Sequence, residues 1–278
     1  MKKHMTHLII AVAVLQGATA FAVEYQSPRT LALGGAGRAG PWLNDSIYLN
    51  PSYASFVSAY SVAGGYNWFD EGRNYNASVQ DARDELVQAG LGFTKREQNN
   101  AINLGASRSL IKQLGFGLGS KFLLDNQTNK ITSDLIFSTS YIALPWMYAS
   151  FIVDNIIQSE AGLQRNLFRT FFLAFKFIPT KQVEFYLDPL YSPSYSAGNK
   201  AGFSLGVELA ALADFYLRAG KFVNAEVSYL NTRGDGFGLG LGWIGPRINI
   251  DYALNRVLSA DSGVGLTTSQ SVSTTLFF

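Results

Sequence analysis

The sequence predicts an all-β fold: a membrane-spanning antiparallel up-and-down β-barrel of about 14 strands, with 12 as the alternative. Three observations lead to this prediction. Side chains alternate over most of the chain between apolar residues and small or polar ones. The polar face carries few charges, and the last strand ends on an aromatic residue. A short N-terminal segment precedes the first strand.

The alternation has a period of two, which is the spacing of side chains on one face of a β-strand. Between residues 247 and 255, Ile248, Ile250, Tyr252 and Leu254 share one face, and polar residues and Ala253 occupy the other. Residues 236–243 alternate glycine with Phe, Leu and Trp in the same way. The same pattern recurs upstream and predicts strands throughout the chain.

The contents of the two faces distinguish a membrane barrel from a soluble sandwich. A soluble sandwich turns a polar, charged face to water, whereas a membrane barrel turns its apolar face to lipid and its polar face to the lumen. Only 15% of this chain is charged, against about 25% in ordinary soluble domains. The polar face is mostly Gly, Ser, Thr and Asn, so the barrel is the favoured interpretation and a secreted sandwich is the alternative.

Fourteen strands are predicted, and the connections between them alternate in length. Those after even-numbered strands are mostly short, and several after odd-numbered strands are long, notably 156–166, 189–200, 222–235 and 256–268. Short turns belong in the periplasm and long loops outside the cell. The predicted strands are 57–68, 73–82, 87–96, 101–109, 114–124, 130–141, 146–155, 167–178, 182–188, 201–210, 213–221, 236–243, 247–255 and 269–278.

The last strand places Val272, Leu276 and Phe278 on one face and stops at the aromatic residue. This pattern looks like the C-terminal signal of the β-barrel assembly machinery, which would be a partner during biogenesis. The alternative is a plain apolar edge strand, although such an exposed edge would promote aggregation in a soluble protein.

Residues 1–22 have the features of a secretory signal peptide: Lys2 and Lys3, an apolar stretch, and Ala20-Phe21-Ala22 as cleavage site. This segment predicts export to the bacterial outer membrane. Its removal would take both histidines and leave 20 basic residues against 20 acidic ones.

The remaining chain would have neither His nor Cys. This composition argues against a triad enzyme, a thiol nucleophile and an imidazole metal site, so we expect no catalytic residue, metal or cofactor. A neutral chain also lacks the basic excess that a nucleic-acid partner requires.

The segment before the first strand contains two short motifs. The first runs from Arg29 through Gly34 and Gly35 to Ala36, and the second contains Asn44 and Asp45 and ends at Asn50-Pro51. These motifs resemble the start of the FadL-like outer-membrane family, which includes long-chain fatty-acid and hydrocarbon transporters. Residues 217–220, 236–242 and 250–253 look more like its PorV-type secretion branch.

The resemblance implies a hatch in the lumen and three regions: a signal peptide (1–22), the hatch (residues 23–56) and the barrel (57–278). We expect the hatch to pack against inward glycines on the wall, in particular those of 115–119 and 236–242. The predicted lumen also carries near-balanced charges, which either pin the hatch in an ion-pair network or line a polar path for a solute. They are Lys121, Asp134, Asp154, Lys176, Glu184, Asp188, Glu208, Asp214, Arg218, Arg247 and Asp251.

Two functions from different classes remain open. The first is passive transport of hydrophobic or small solutes through a hatch-gated channel. The second is docking or shuttling of exported proteins by a PorV-type barrel. Lipid is a partner in either case, and apolar residues of the predicted loops, including Leu190, Tyr195, Phe222 and Leu230, would suit a solute or an exported protein.

Overall fold

A computed structural model of the protein describes residues 25–70, 72–96, 99–212, 214–230, 232–261, 263 and 265–278. The predicted signal peptide lies outside these ranges. The fold is a closed antiparallel barrel in which each strand pairs with its sequence neighbours and β1 pairs with β14. The 14 strands are β1 Tyr60–Phe69, β2 Gly72–Asp81, β3 Gln88–Arg96, β4 Asn99–Ile111, β5 Leu114–Asp125, β6 Ile131–Leu144, β7 Met147–Asp154, β8 Thr170–Thr180, β9 Val183–Tyr191, β10 Ala201–Ala210, β11 Phe215–Val227, β12 Thr232–Ile244, β13 Ile248–Ala260 and β14 Thr267–Phe277.

This architecture confirms the predicted fold class and 14 strands rather than 12. The pairing of Val62 with Leu276 closes the ring, so the terminal strand is not an exposed edge. Val272, Leu276 and Phe278 are at outward positions of β14 or just after it, and their role in assembly stays a prediction.

Burial alternates along the strands as a barrel requires. Over most of β6 and β13, residues at every second position are buried and their neighbours are exposed or half-buried. The outward face carries large apolar side chains such as Leu118, Leu173 and Leu241, which are 61%, 49% and 56% exposed to the surroundings. Such an exterior is stable only against lipid, because exposed apolar patches of this extent are rare on soluble monomers.

The hatch begins, within the described residues, with an α-helix at Pro28–Ala32, which Ser27 caps by accepting a hydrogen bond from the backbone N–H of Thr30. A 3-10 helix at Leu43–Asp45, an α-helical turn at Ser46–Leu49 and a second 3-10 helix at Pro51–Phe56 follow. Their contacts reach strands on opposite sides of the ring, including β4, β5, β12 and β13. In the structure this segment therefore lies inside the barrel. Among the described residues, none of the helices is both long enough and apolar enough to cross a membrane.

The predicted loop lengths need correction. β11 and β12 extend to Val227 and Thr232 and absorb most of the predicted loop 222–235. β13 likewise runs to Ala260, because the alternating pattern continues where the sequence had suggested a loop. The longest connection, 155–169, folds inward and contains a short α-helix at Glu160–Leu163. Its Leu167 packs in the interior against Ala101 and Leu123.

Candidate functional site: the filled lumen

The hatch touches the barrel wall at glycines. A Cβ atom on Gly238 would lie 1.9 Å from the carbonyl oxygen of Leu31, and one on Gly117 would lie 2.2 Å from the backbone nitrogen of Ser52. Gly115, Gly119 and Gly240 also face hatch atoms, whereas Gly236 and Gly242 meet atoms of the wall. Five of the seven glycines in the two predicted tracks thus face the hatch, three of them at its backbone and two at its side chains.

The backbone conformation at two positions of the hatch favours glycine. Gly34 and Gly35 have φ angles of +65° and +84°, in the left-handed region that glycine adopts without steric cost. Gly34 also lies against the backbone of β11 at Gly220 and Lys221, where its missing side chain permits close approach. This turn leads the hatch from its first helix across the lumen.

A buried charge cluster holds the first half of the hatch. Arg29 Nε lies 3.1 Å from Glu208 Oε2, and Arg29 Nη2 donates to the hydroxyl of Tyr186 at 2.5 Å. Glu208 also accepts from Arg218, which in turn bonds Asp251. Each ion of this cluster has a partner of opposite sign, which offsets part of the cost of burying the charges.

Lys176 and Glu184 extend this cluster. Lys176 Nζ lies 2.8 Å from Glu184 Oε2, and Arg29 Nη2 lies 3.8 Å from the same oxygen. Arg29 is a hatch residue, and the other charged members belong to β8–β13. The cluster therefore joins the hatch to five strands, namely β8, β9, β10, β11 and β13.

A second carboxylate anchors the turn that follows Gly35. Asp188 Oδ2 accepts the backbone N–H groups of Gly37 and Arg38 at 3.0 and 2.9 Å. The Arg38 guanidinium stacks over the ring of Phe172 at 3.8 Å and pairs with Glu226 at 3.5 Å. Arg38 therefore connects the hatch to β8 and to the far end of β11.

The second half of the hatch is held by neutral hydrogen bonds. Asn50 is fully buried, and its Nδ2 donates to Ser140 Oγ at 2.9 Å, to Ser150 Oγ at 3.1 Å and to the carbonyl of Arg38 at 2.7 Å. Ser52 adds a backbone bond to Ser138 Oγ at 2.9 Å. Pro51, the other conspicuous residue of the motif, packs near Gly119 on β5.

Asn44 and Asp45 lie between these two halves and are buried. Asn44 Nδ2 approaches the carbonyl of Ser61 on β1 at 3.4 Å. Asp45 accepts hydrogen bonds from the hydroxyls of Tyr25 and Ser27 at 2.6 and 2.7 Å, which ties the start of the described chain to the middle of the hatch. Burial raises the pKa of Asp45 to about 6, although these two hydrogen bonds and Arg29 oppose the increase.

A further charge group lies under the inward-folded loop 155–169. Lys121 Nζ is 2.7 Å from Asp154 Oδ2. Asp134 accepts the backbone N–H of Ile157 at 2.9 Å, and Arg165 of the loop pairs with Asp125 at 3.1 Å. These contacts hold the loop against the inner wall of β5–β7.

Nine of the eleven predicted lumen charges therefore face the interior, all except Asp214 and Arg247. These two are exposed in the turns before β11 and β13, because each strand begins one residue later and the alternation does not reach them. Within the described ranges, no three acidic or histidine side chains converge as metal ligands would.

Sequence reasoning missed an apolar group on the inner face. We call the inward side chains Ile136, Ile152, Phe172, Leu190, Phe222, Val227 and Val257, which belong to one buried cluster, the apolar wall. Leu190 and Phe222 were expected in loops, as were Tyr195 and Leu230, but all four are buried. Strand parity could have placed Phe172 inside, since it shares its face with Lys176.

Two cavities lie next to the apolar wall, each of about 40 Å³. The first lies between the hatch and the wall and is lined by Tyr25, Leu31, Phe172 and Phe222 among others. The second lies nearer the loops, at Phe168, Tyr195 and Arg233. Both linings include Glu226, Val227 and Ser228, so the cavities adjoin at the end of β11.

Comparison with known proteins supports the fold class of this chain but does not assign the chain to a family. No protein-family model matches the chain, and no curated protein does. Among solved structures, the chain is similar in fold to barrels of the FadL and TodX type.

Three such structures illustrate the likeness. A Pseudomonas aeruginosa FadL homologue is 11% identical with a TM-score of 0.62, and the match covers 93% of this chain and 99% of that one. The Ralstonia pickettii toluene transporter TbuX is 11% identical, covers 92% and 98%, and has a TM-score of 0.61. The Pseudomonas putida toluene transporter TodX is 10% identical, covers 93% and 99%, and also has a TM-score of 0.61. None of these three is described as a PorV-type barrel.

Proposed function

We propose that this protein is a passive channel of the bacterial outer membrane for small hydrophobic solutes, gated by the hatch. Two of the structures that are similar in fold are toluene transporters, which supports a transport class. The apolar wall is the observation that carries the proposal. A channel for polar solutes has no need of Phe172, Leu190 and Phe222 on its inner face, because porin lumens are polar.

The route follows the two adjoining cavities. A solute would enter between the loops near Phe168 and Tyr195, pass Val227, and reach the space between the hatch and Phe172. Beyond that point the charge cluster around Arg29 blocks an apolar molecule. Passage therefore requires the hatch to move.

The size of the cavities also indicates that the hatch must move before a solute can pass. A water molecule needs roughly 10–15 Å³ of such volume, so a cavity of about 40 Å³ holds only a few waters. A monoaromatic hydrocarbon is larger. The arrangement described here is accordingly a closed state, and transport depends on release of the hatch from Asp188, Glu208 and the serines that bind Asn50.

Uptake of toluene and of a long-chain fatty acid tests the proposal. Bacteria lacking their own hydrophobic-solute barrels would express the full chain, and the uptake of both compounds and of a small sugar would be followed. We expect uptake of at least one hydrophobic compound above the empty-vector level and none of the sugar. The Phe172→Asn/Phe222→Asn variant should lower hydrophobic uptake, while the Phe151→Asn/Phe203→Asn variant, which alters two outward rings, serves as the matched control.

The filled lumen is the observation that favours the second candidate, a docking component for exported proteins. A barrel that folds and inserts but passes neither hydrophobic compound would overturn the channel proposal. That result would favour docking, which co-purification of an exported protein with the barrel would then examine.

A further inference from the structure

The outer face of β9–β13 contains a groove that the channel proposal does not use. Its volume is about 610 Å³, and it is lined almost entirely by apolar side chains, among them Val207, Leu217, Leu239 and Leu254. Ala219 lies at its centre between Val207 of β10 and Leu239 of β12, and its small side chain leaves the surface concave. The groove faces the space that lipid occupies around the barrel.

Two cations lie at one end of this groove. Lys221 pairs across the strands with Phe237, and Phe237 pairs with Arg256, so the three form one row on β11, β12 and β13. Each is two residues beyond a groove residue of its own strand: Ala219, Leu239 and Leu254. Since neighbouring strands are about 4.8 Å apart, the two cations begin roughly 10 Å apart, and their long side chains can converge.

Both cations are exposed on the outward face. Over the described residues, neither has an ion pair with a carboxylate. An unpaired cation facing lipid is costly at the centre of a bilayer and nearly free of cost at its interface. The row therefore marks the interface nearer the loops 155–169 and 228–231, which is the outer leaflet if the short turns are periplasmic.

The pairing of outward cations with an apolar groove occurs on this side of the barrel. Strands β5–β10 carry only two lysines or arginines, Lys121 and Lys176, and both face the lumen. Elsewhere, outward cations are on β2, β3 and β4, among them Lys95 and Arg108, and none of them adjoins this groove. A pair of cations above an apolar groove matches a molecule with an anionic head and a hydrocarbon tail.

We propose that Lys221 and Arg256 bind the phosphate of an outer-leaflet lipid whose acyl chain lies in the groove around Ala219. The phosphate supplies the anion that the two cations lack, and guanidinium and ammonium groups both bind phosphate oxygens well. The acyl chain covers the leucines of β10–β13. The site is on the outside of the barrel and holds whether or not the lumen conducts.

Native mass spectrometry of the detergent-solubilised full chain tests this site with a bis-phosphorylated, multiply acylated glycolipid as the probe. We expect one tightly held lipid per chain. The Lys221→Gln/Arg256→Gln variant should lose roughly 10- to 30-fold in apparent affinity, because each cation near a membrane surface contributes about one factor of five. The Lys95→Gln/Arg108→Gln variant removes the same charge elsewhere on the exterior and should bind as the unaltered chain does.

Two further measurements distinguish the contribution of the lipid head group from that of the acyl chain. Ala219→Phe fills the groove without changing charge and should also weaken binding, whereas the dephosphorylated lipid should bind poorly to the unaltered chain. Equal losses in the two charge variants, or equal binding of the dephosphorylated lipid, would overturn the proposal. Competition by inorganic phosphate alone at similar concentration would identify a free-anion site and would also overturn it.

Discussion

The two halves of the hatch are held in the lumen by different chemistry. Residues 27–38 are fastened by ions: Arg29 to Glu208, and the backbone of Gly37 and Arg38 to Asp188. Residues 50–56 are fastened by neutral amide and hydroxyl groups, chiefly Asn50 to the serines of β6 and β7. Both halves nevertheless lie on wall glycines.

Under the proposed gating, this difference predicts which half of the hatch contributes more to the free energy of closure. Removing one partner of a buried ion pair costs a large amount of stabilising free energy, because the other charge is left without compensation. Removing one partner of a neutral hydrogen bond costs less free energy. We therefore expect the half that contains Arg29 to control most of the closing free energy, and the half that contains Asn50 to set its position.

Removal of the Arg29 guanidinium is expected to have the largest effect. Arg29→Gln leaves Glu208 with Arg218 alone and should weaken hatch closure by about 3 kcal/mol, or roughly 100-fold in the ratio of open to closed channels. Single-channel recording in planar bilayers measures this ratio. Arg83→Gln, which breaks an exposed pair with Asp81, is the control and should leave the ratio unchanged.

A methyl group on Gly238 is expected to displace the first hatch helix. The new Cβ would meet the Leu31 carbonyl at 1.9 Å, and overpacking of this kind costs about 1–3 kcal/mol. Gly238→Ala should therefore expose residues 27–33 to protease added to the folded barrel. Gly64→Ala is the matched control, because its Cβ has no neighbour nearer than 4.0 Å. Equal protease resistance of both variants would show that the wall does not hold this helix.

Loss of the Asn50 amide is expected to weaken the second half. Asn50→Ala removes the four hydrogen bonds that this side chain makes with Arg38, Ser52, Ser140 and Ser150 and should favour the open channel by about 2 kcal/mol. Asn100→Ala, which alters one exposed hydrogen bond, is the control. If Asn50→Ala opened the channel more than Arg29→Gln does, the contrast between the two halves would be wrong.

The smallest effect is a dependence on pH through Asp45. Its pKa is about 6 in the docked hatch against 3.8 in water, so the docked state binds the proton more tightly. Closure is therefore strongest below pH 3.8 and weakens as the pH rises to about 6. We expect roughly tenfold more open channels at pH 7.5 than at pH 5. Recordings of Asp45→Asn should show a weaker dependence on pH, and an opposite sign in the unaltered chain would contradict the account.

The barrel was predictable because residues that face lipid are apolar, residues that face the lumen are mostly polar or small, and the two kinds alternate along each strand. In β13 this leaves Ile250, Tyr252 and Leu254 outside and Asn249 and Asp251 inside, a pattern visible in the sequence. The wall glycines were predictable for a related reason, since a run such as Gly115-Phe116-Gly117 leaves one face without side chains.

The apolar wall as a whole and the partners of Arg29 were not predictable. Phe171, Phe172 and Leu173 are consecutive, so both faces of β8 are apolar there, and only the parity with Lys176 indicates that Phe172 faces inward. Arg29 meets Glu208 only because the ring closes and the hatch turns inward, which no local pattern encodes. The inward fold of the loop 155–169 likewise depends on Asp125 and Asp134 of other strands.

Release of the hatch is the central claim, and a reversible cross-link tests it most directly. The chain contains no cysteine, and Ser52 Oγ lies 2.7 Å from Ser140 Oγ, so Ser52→Cys/Ser140→Cys can form one defined disulfide between hatch and wall. We predict that oxidised barrels take up no hydrophobic compound and that reduction restores uptake, while Ser140→Cys alone responds to neither treatment. Equal uptake by the oxidised and reduced double variant would contradict hatch gating.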